Sequence, residues 1–217
     1  MIAVREAEFA YPEGGFHLRV RELAVGEKES VAITGSSGSG KTTLINLLAG
    51  LLVPDSGNIN VLGLDLAGLA AEDRQDLRIL KLGLVFQEFE LLEYIDVLDN
   101  ILLPYRITPV LTLEATARER AMSLAREVGL GDKLQRLPGQ LSQGERQRVA
   151  VCRALVTRPA VIFGDEPTGN LDARNRDHVA DALFSYSEQT GAPLVVVSHD
   201  PELVSRFARR VDVAELA

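Results

Sequence analysis

Cysteine is nearly absent: Cys152 is the single one in 217 residues. An internal disulfide is therefore excluded, and a reducing compartment is consistent with that usage. Cys152 stands in an apolar helical stretch and reads as a buried structural thiol. Long apolar runs are also missing. None approaches the roughly 18 residues that span a bilayer. The N-terminus, M-I-A-V-R-E-A-E, lacks a charged-then-apolar signal pattern. Basic charge is in deficit, with 23 Lys and Arg against 31 Asp and Glu, a net charge of −8. A generic nucleic-acid binder would show a basic excess, so no direct nucleic-acid partner is expected. No internal repeat, coiled coil or low-complexity segment occurs. What remains is 46% hydrophobic and 25% charged, the composition of a globular chain with a real core. The length suits one large α/β domain, or one with an inserted subdomain.

The stretch that organises the chain is Gly35 to Thr42, G-S-S-G-S-G-K-T. It fits the phosphate-binding pattern G-x-x-x-x-G-K-[ST] at every fixed position. Glycines let the backbone turn tightly and approach a ligand. Successive backbone N–H groups then form a cradle for phosphate oxygens, and the helix starting near Gly40 adds its positive end. Lys41 supplies a point charge for the β- and γ-phosphates, and the Thr42 hydroxyl is placed to ligate Mg²⁺. The flanks agree: S-V-A-I-T before the loop reads as a buried strand, and T-L-I-N-L-L-A after it as a buried helix.

Around this loop the pattern alternates. Ile2 to Phe9 and Phe16 to Val25 read as antiparallel strands joined by a turn at Tyr11–Gly15. Short strands are expected at Asn58 to Leu62, Leu82 to Phe86, Ala160 to Phe163, Leu194 to Ser198 and Arg210 to Val213. Helices are expected at Glu72 to Leu80, Ala173 to Thr190 and Pro201 to Ala208. Between Glu88 and Arg158 strand signals vanish, and helices are expected at Val97 to Leu103, Leu113 to Val128 and Ser142 to Val156. Strands alternating with helices predict an α/β fold with a mostly parallel core sheet and a helical insertion.

Two further stretches carry chemistry. Val161 to Glu166, V-I-F-G-D-E, is an apolar strand that ends in two acids. An acid at the C-terminal end of a core strand points into the crevice where such sheets bind ligands. Asp165 would hold Mg²⁺, directly or through water, and Glu166 would polarise a water for attack on the γ-phosphate. Leu141 to Glu145, L-S-Q-G-E, opens a helix. Ser142 and Glu145 have the spacing of a capping box, and the same helix end could serve as a second anion site.

G-S-S-G-S-G-K-T, Gln87 after a strand, L-S-Q-G-E, G-D-E-P-T-G-N-L-D and S-H-D occur in this order. That set resembles the nucleotide-binding subunits of ABC (ATP-binding cassette) proteins over nearly the whole chain. L-V-F-Q-E-F-E-L-L, D-N-I-L-L-P and D-E-P-T-G-N-L-D are most similar to the branch of lipoprotein-release, macrolide-export and cell-division ATPases. The resemblance implies a P-loop NTPase fold. Its core, with an N-terminal antiparallel β part, would span 1–87 and 159–217, and an α-helical subdomain 88–158. It implies ATP and Mg²⁺ as ligands. Tyr11 would stack on adenine, and Gly35, Ser36, Ser37, Gly38, Ser39, Gly40, Lys41, Thr42 and Thr43 would hold the phosphates. Gln87 would touch Mg²⁺ and the attacking water, and His199 the γ-phosphate. Ser142 and Gly144 would contact ATP held by a second copy of the chain, with Asp172 at the seam. His17 and His178 match nothing and read as surface residues.

The implied partners are that second copy and an integral membrane permease subunit, so the chain would be cytoplasmic and peripheral on the inner face of the membrane. Phe89, Leu91, Leu92 and Tyr94 are expected to line the groove that grips the partner. There are departures. Gln143 and Glu145 replace residues of the commoner L-S-G-G-Q. The stretch Leu91 to Asp96 replaces a more usual L-L-P-x-L-T in the partner-binding region. The sequence runs to Ala217, just past the last expected strand, where many importer ATPases would add a regulatory domain. Other classes fit less well. Soluble ABC ATPases acting on DNA or ribosomes carry long coiled coils or tandem cassettes. A GTPase would need N-K-x-D, which is missing. A non-hydrolysing sensor would have no use for Glu166 and His199.

Overall fold

The computed structural model describes residues 1–217 apart from Glu13 and Asn170. The expected turn at Tyr11–Gly15 and the N-L-D stretch therefore each include one residue outside the described set. Two sheets form because the chain carries two kinds of strand. The amphipathic kind comes first. β1 (Ile2–Ala10) and β2 (His17–Val25) pair antiparallel, with Ile2, Val4, Leu23 and Val25 inward. The alternation slips by one residue partway along: Glu6 takes φ +46°, and beyond it Ala7 and Phe9 occupy the inner face. β4 (Ser56–Val61) pairs with the other side of β1 and β5 (Leu64–Asp65) with β4, giving the order β2-β1-β4-β5.

The second kind is buried on both faces. β3 (Ser30–Thr34), β6 (Leu82–Val85), β7 (Val161–Asp165) and β8 (Leu194–Val197) are joined by the edge strand β9 (Arg209–Asp212). Their order is β6-β7-β8-β3-β9, and every pairing is parallel. The helix α1 (Lys41–Leu48) lies between the two sheets. It touches β7 and β8 on one side and β4 on the other. It buries Leu44, Ile45, Leu47 and Leu48 completely or nearly so, each worth about 1.5–3 kcal/mol relative to exposure. α7 (Ala173–Thr190) covers the opposite face of the parallel sheet through Val179, Ala180 and Leu183. α2 (Ala71–Lys81) precedes β6, and α8 (Pro201–Ser205) precedes β9.

Between β6 and β7 the described residues form helices only: α3 (Val97–Ile101), α4 (Leu103–Arg106), α5 (Ala115–Glu127), a short 3₁₀ turn at Pro138–Gln140, and α6 (Gln143–Leu155). They share a core of their own that includes Val97, Ile101, Ala121, Leu130, Val149 and Cys152. Burial pushes the Cys152 thiol well above its usual range, so it is an inert packing group.

Two helices differ from expectation. The one expected at Val97 to Leu103 breaks at Leu102 and restarts as α4, because Pro104 has no N–H to continue the ladder. The last helix stops at Ser205 rather than Ala208. Phe207 leaves it and is buried with its ring 4.8 Å from that of Phe184.

Gly57 marks where the first sheet is most tightly constrained. It has φ +82°, and a Cβ there would fall 2.6 Å from the Ala7 Cα and closer still to the Glu6 carbonyl, both backbone. Gly57→Ala is expected to destabilise the chain by about 3 kcal/mol, read as a lower urea midpoint. A midpoint equal to the parent's would show that the β1–β4 junction can relax.

Candidate functional site

Parallel pairing puts the C-terminal ends of the strands on one edge of the sheet. Reading across β6, β7, β8 and β3, that edge presents Gln87, then Asp165 and Glu166, then Ser198 and His199, then the loop from Gly35 to Gly40. All of these except Ser39 and the fully buried Ser198 line one cavity of about 680 Å³, together with Tyr11, Lys41, Thr42 and Thr43. Of the loop residues, only Ser39 turns its side chain away; its buried hydroxyl has no partner and packs against Gly35. Ser142, Gly144 and Asp172 are not in this cavity. Ser142 and Asp172 border a separate hollow of about 450 Å³ with Arg148, Arg174 and Asn175.

The loop is built for an anion. α1 starts at Lys41 with Gly40 as its N-cap, no side-chain cap and no acid in its first turn. Its leading amides therefore remain for a ligand. Gly40 has φ +96°, and a Cβ there would lie 2.6 Å from the Phe16 ring. Phe16 was not singled out from the sequence, yet it lines the cavity and closes it behind the loop. Its signal was an aromatic at the start of a strand, which packing alone would explain. Tyr11 is 41% exposed, with its ring 4.9 Å and edge-on from Phe9 and its hydroxyl 3.3 Å from the Thr43 Oγ1. The Lys41 ammonium folds back and donates to the carbonyls of Gly35 (2.8 Å) and Ser36 (2.9 Å). A phosphate arriving there would exchange these carbonyls for stronger charge-assisted partners.

The acids differ in state. Asp165 is buried, and its Oδ1 has no hydrogen-bond partner. Burial holds its carboxyl above the usual range; the Thr42 hydroxyl and the Lys41 charge pull it down, and neighbouring Glu166 pushes it up. An unpaired carboxylate oxygen beside a hydroxyl, facing a phosphate cradle, is an oxygen donor set that fits Mg²⁺. Among the described residues no cluster of three His, Cys, Asp or Glu forms a cage. That also suits an ion that takes further ligands from phosphates and water.

Glu166 sits at φ +47°, in the left-handed region, and is 9% exposed. Its Oε2 accepts from the Ser198 hydroxyl at 3.0 Å, and its Oε1 accepts from the His199 N–H at 3.1 Å and contacts His199 Nδ1 at 2.7 Å. The carboxylate is thus clasped by the end of β8, while 73% of the His199 side chain remains exposed.

At the other hollow, Ser142 and Glu145 form the expected capping box on α6. Lys133 pairs with Glu145. Asp172 caps α7 by accepting from the Asn175 N–H at 2.9 Å, which holds its carboxyl below the usual range. The Asn175 side chain bonds Asp172 and Arg148 and fills the space beside Gly144, where a Cβ would come within 2.5 Å of its Oδ1. Gly144 is therefore required by packing within the chain.

The expected partner groove of Phe89, Leu91, Leu92 and Tyr94 does not form as one surface. Leu91 packs on the helical core, whereas Tyr94 is 77% exposed. Asn100 explains the division: fully buried, it bonds the N–H and carbonyl of Leu92 and the carbonyls of Ile95 and Asp96, pinning the loop inward. An apolar hollow that reaches Phe86, the residue before Gln87, is lined by Leu51, Ile79, Leu84, Pro104 and Ile107 among others, and holds about 300 Å³. Leu51 and Ile107 come from far apart in sequence, which hid the groove.

The family model for ABC transporters matches residues 18–169. The lipoprotein-releasing system ATP-binding protein LolD of Bordetella pertussis is 43% identical over 208 residues, covering 93% of this chain and 87% of that protein. The macrolide export ATP-binding/permease protein MacB of Syntrophobacter fumaroxidans is 41% identical over 194 residues, covering 89% of this chain and 27% of that protein. Among solved structures, the dimeric ATP-binding cassette MJ0796, in a post-hydrolysis state bound to ADP and Pi, superposes with a TM-score of 0.88 at 29% identity. That match covers 98% of this chain and 94% of the other.

Asp165→Asn is expected to leave the chain at least as stable as the parent at pH 7 without Mg²⁺. The reason is the sign of the shift: a carboxyl whose folded pKa is raised adds stability below its unfolded pKa and loses it as pH rises through the folded value. Urea midpoints of the two chains should converge below about pH 4. The variant should also lose the gain in nucleotide affinity that Mg²⁺ brings. Retention of that gain would remove Asp165 from the ion's site.

Proposed function

This chain belongs to the ABC transporter family, and on that premise we propose that it drives a membrane complex of the lipoprotein-releasing and macrolide-exporting kind, as a pair of copies closing on two ATP. It is an ATP-binding and hydrolysing subunit. The observation that carries the fuller reading is the split between its two hollows. Gln87, Asp165, Glu166 and His199 meet the phosphate loop, whereas Ser142 and Asp172 border a different hollow of the same chain and Gly144 is buried beside Asn175. A second copy would bring its Ser142 and Gly144 to the open side of the first cavity. The dimeric state of the MJ0796 cassette supports that arrangement.

In the proposed reaction the loop amides and Lys41 hold the β- and γ-phosphates, and Tyr11 with Phe16 flanks the base. Thr42, Asp165 and Gln87 would hold Mg²⁺, which supplies charge neutralisation at the phosphates when bound. His199 would turn its ring from Glu166 to the γ-phosphate, which its exposure permits. That motion frees Oε1 of Glu166 to accept a proton from the attacking water. ATP favours the closed pair because it contacts both copies; cleavage removes the γ-phosphate contacts and lets the pair open.

Among the described residues no helix is long and apolar enough to cross a membrane. In this reading the force would reach a membrane permease subunit, which would place this chain against the inner face of the cytoplasmic membrane. The groove between Leu51 and Ile107 is the proposed grip. It is lined by Leu82 and Leu84 of β6 and by Phe86, the residue before Gln87. Arg153, whose guanidinium donates to the carbonyls of Phe89 (2.8 Å) and Glu90, fastens the following loop to α6.

Glu166→Gln should lower kcat by about 100-fold or more while ATP affinity stays within a few-fold. Steady-state hydrolysis and equilibrium binding check this, and unchanged turnover would refute the assigned base. Ile107→Glu tests the grip. Basal hydrolysis should stay near the parent's, while co-purification with the membrane subunit and stimulation by it should fall about tenfold. Loss of basal hydrolysis would instead give Ile107 a role in the core.

A further inference from the structure

We infer that Gln147 is a positioning residue that ties the helix bearing Ser142 and Gly144 to the two segments carrying Gln87 and Glu166. The inference rests on the ATPase reading and concerns how that site is held. Gln147 lies in the second turn of α6 and is 1% exposed. Its Nε2 donates to the Pro167 carbonyl at 2.6 Å and to the Phe86 carbonyl at 3.3 Å. Pro167 directly follows Glu166, and Phe86 directly precedes Gln87. Both partners are carbonyl oxygens, which cannot donate, so the amide can face them only with its nitrogen.

The two segments also meet each other at this point. Gly169 closes a turn back to the Glu166 carbonyl at 2.9 Å, and a Cβ on Gly169 would touch the Gln87 side chain at 3.4 Å. One buried amide thus sits where three functional stretches converge. Its energetics are not those of a packing group. The Gln147 Oε1 has no partner, and neither has the buried Thr168 hydroxyl one residue past Pro167. A half-satisfied polar joint is less stable than an apolar one of the same shape. What the amide supplies is direction: two backbone segments are set relative to α6 by one group. A shift of α6, such as engagement of Ser142 and Gly144 by a second copy's nucleotide would impose, moves Phe86 and Pro167 together.

Gln147→Leu removes both donors and the orphan acceptor at nearly constant volume. The measurement is steady-state hydrolysis by the full chain, with ATP binding and the urea midpoint beside it. Expected is about a tenfold lower kcat, with KM and ATP affinity within twofold and only a modestly lower midpoint, because the Phe86 and Pro167 carbonyls lose their donor. In a Gln87→Ala background the same change should cost less than twofold more, because the two residues act through one segment. A kcat within twofold of the parent, or losses that multiply with Gln87→Ala, would overturn the inference. A loss confined to the midpoint would make Gln147 structural only. Should the leucine variant fail to fold, Gln147→Asn, one methylene too short to reach both carbonyls, carries the same test. Absence of hydrolysis by the parent chain would refute the ATPase reading instead.

Discussion

Parallel strand polarity is the constraint on which the rest of this molecule depends. A parallel sheet sends every strand's C-terminal end to the same edge, so loops distant in sequence become neighbours without any contact between them having to form first. Here the order β6-β7-β8-β3 interleaves early and late strands. The phosphate loop after β3 and the acids after β7 are about 130 residues apart in the chain yet share a cavity. Between them, β8 contributes Ser198 and His199, the two residues that hold Glu166. The same polarity explains why, among the described residues, the antiparallel sheet contributes only Tyr11 and Phe16, from the connection between β1 and β2. Its strands run both ways and cannot gather their ends.

The site is assembled against local cost. Glu166 adopts a backbone conformation that disfavours side chains, at an expense of order 1–3 kcal/mol. Asp165 is buried with an unpaired oxygen, Ser39 with an unpaired hydroxyl, and Gln147 with an unpaired amide oxygen. Each of these is a liability in a resting protein and an opening for a ligand or a motion. The surrounding core tolerates them because it is apolar on both faces of β7 and β8 and packed by α1 and α7. Stability is concentrated under the site, and the deficits are concentrated within it.

Much of this was legible in the sequence, and what was not has physical reasons. Strands buried on both faces announce themselves as short apolar runs, so β3 appeared with its observed limits. The helix Ala173 to Thr190 did too, bounded by Asp172 as a cap and Gly191 in the left-handed region. The phosphate loop, Asp165 and Glu166 were legible because their chemistry depends on residue type at fixed spacing. Sheet membership was not: β4 pairs with β1 through a slipped register that no local pattern encodes. The helix from Val97 was read past its break because its apolar spacing continues through Leu103, although Pro104 forbids the ladder. Gln147 and the groove at Leu51 and Ile107 owe their significance entirely to what lies beside them, and contacts of that range leave no periodicity to read. The loop after Gln87 was misread for a related reason: four large apolar side chains looked like one surface until Asn100 divided them.

The clasp between Glu166 and His199 bears on how such a site avoids idle turnover. A carboxylate that already accepts from a hydroxyl, a backbone N–H and an imidazole has its oxygens engaged. To act as a base it must lose a partner. Ser198, directly after β8, is fully buried, and its N–H bonds the Ile33 carbonyl, leaving the exposed His199 ring as the partner free to rotate. In the proposed cycle that ring turns only when a γ-phosphate offers it a better acceptor. In the same proposed cycle, Ser142 and Gly144 would complete the phosphate's surroundings only from a second copy, since neither lines its own chain's cavity. Activation of the base is then conditional on substrate and on pairing at once. Neither condition would need a dedicated inhibitory element: the first rests on one 2.7 Å contact, and the second on Ser142, at the N-terminus of α6, lying outside its own chain's cavity.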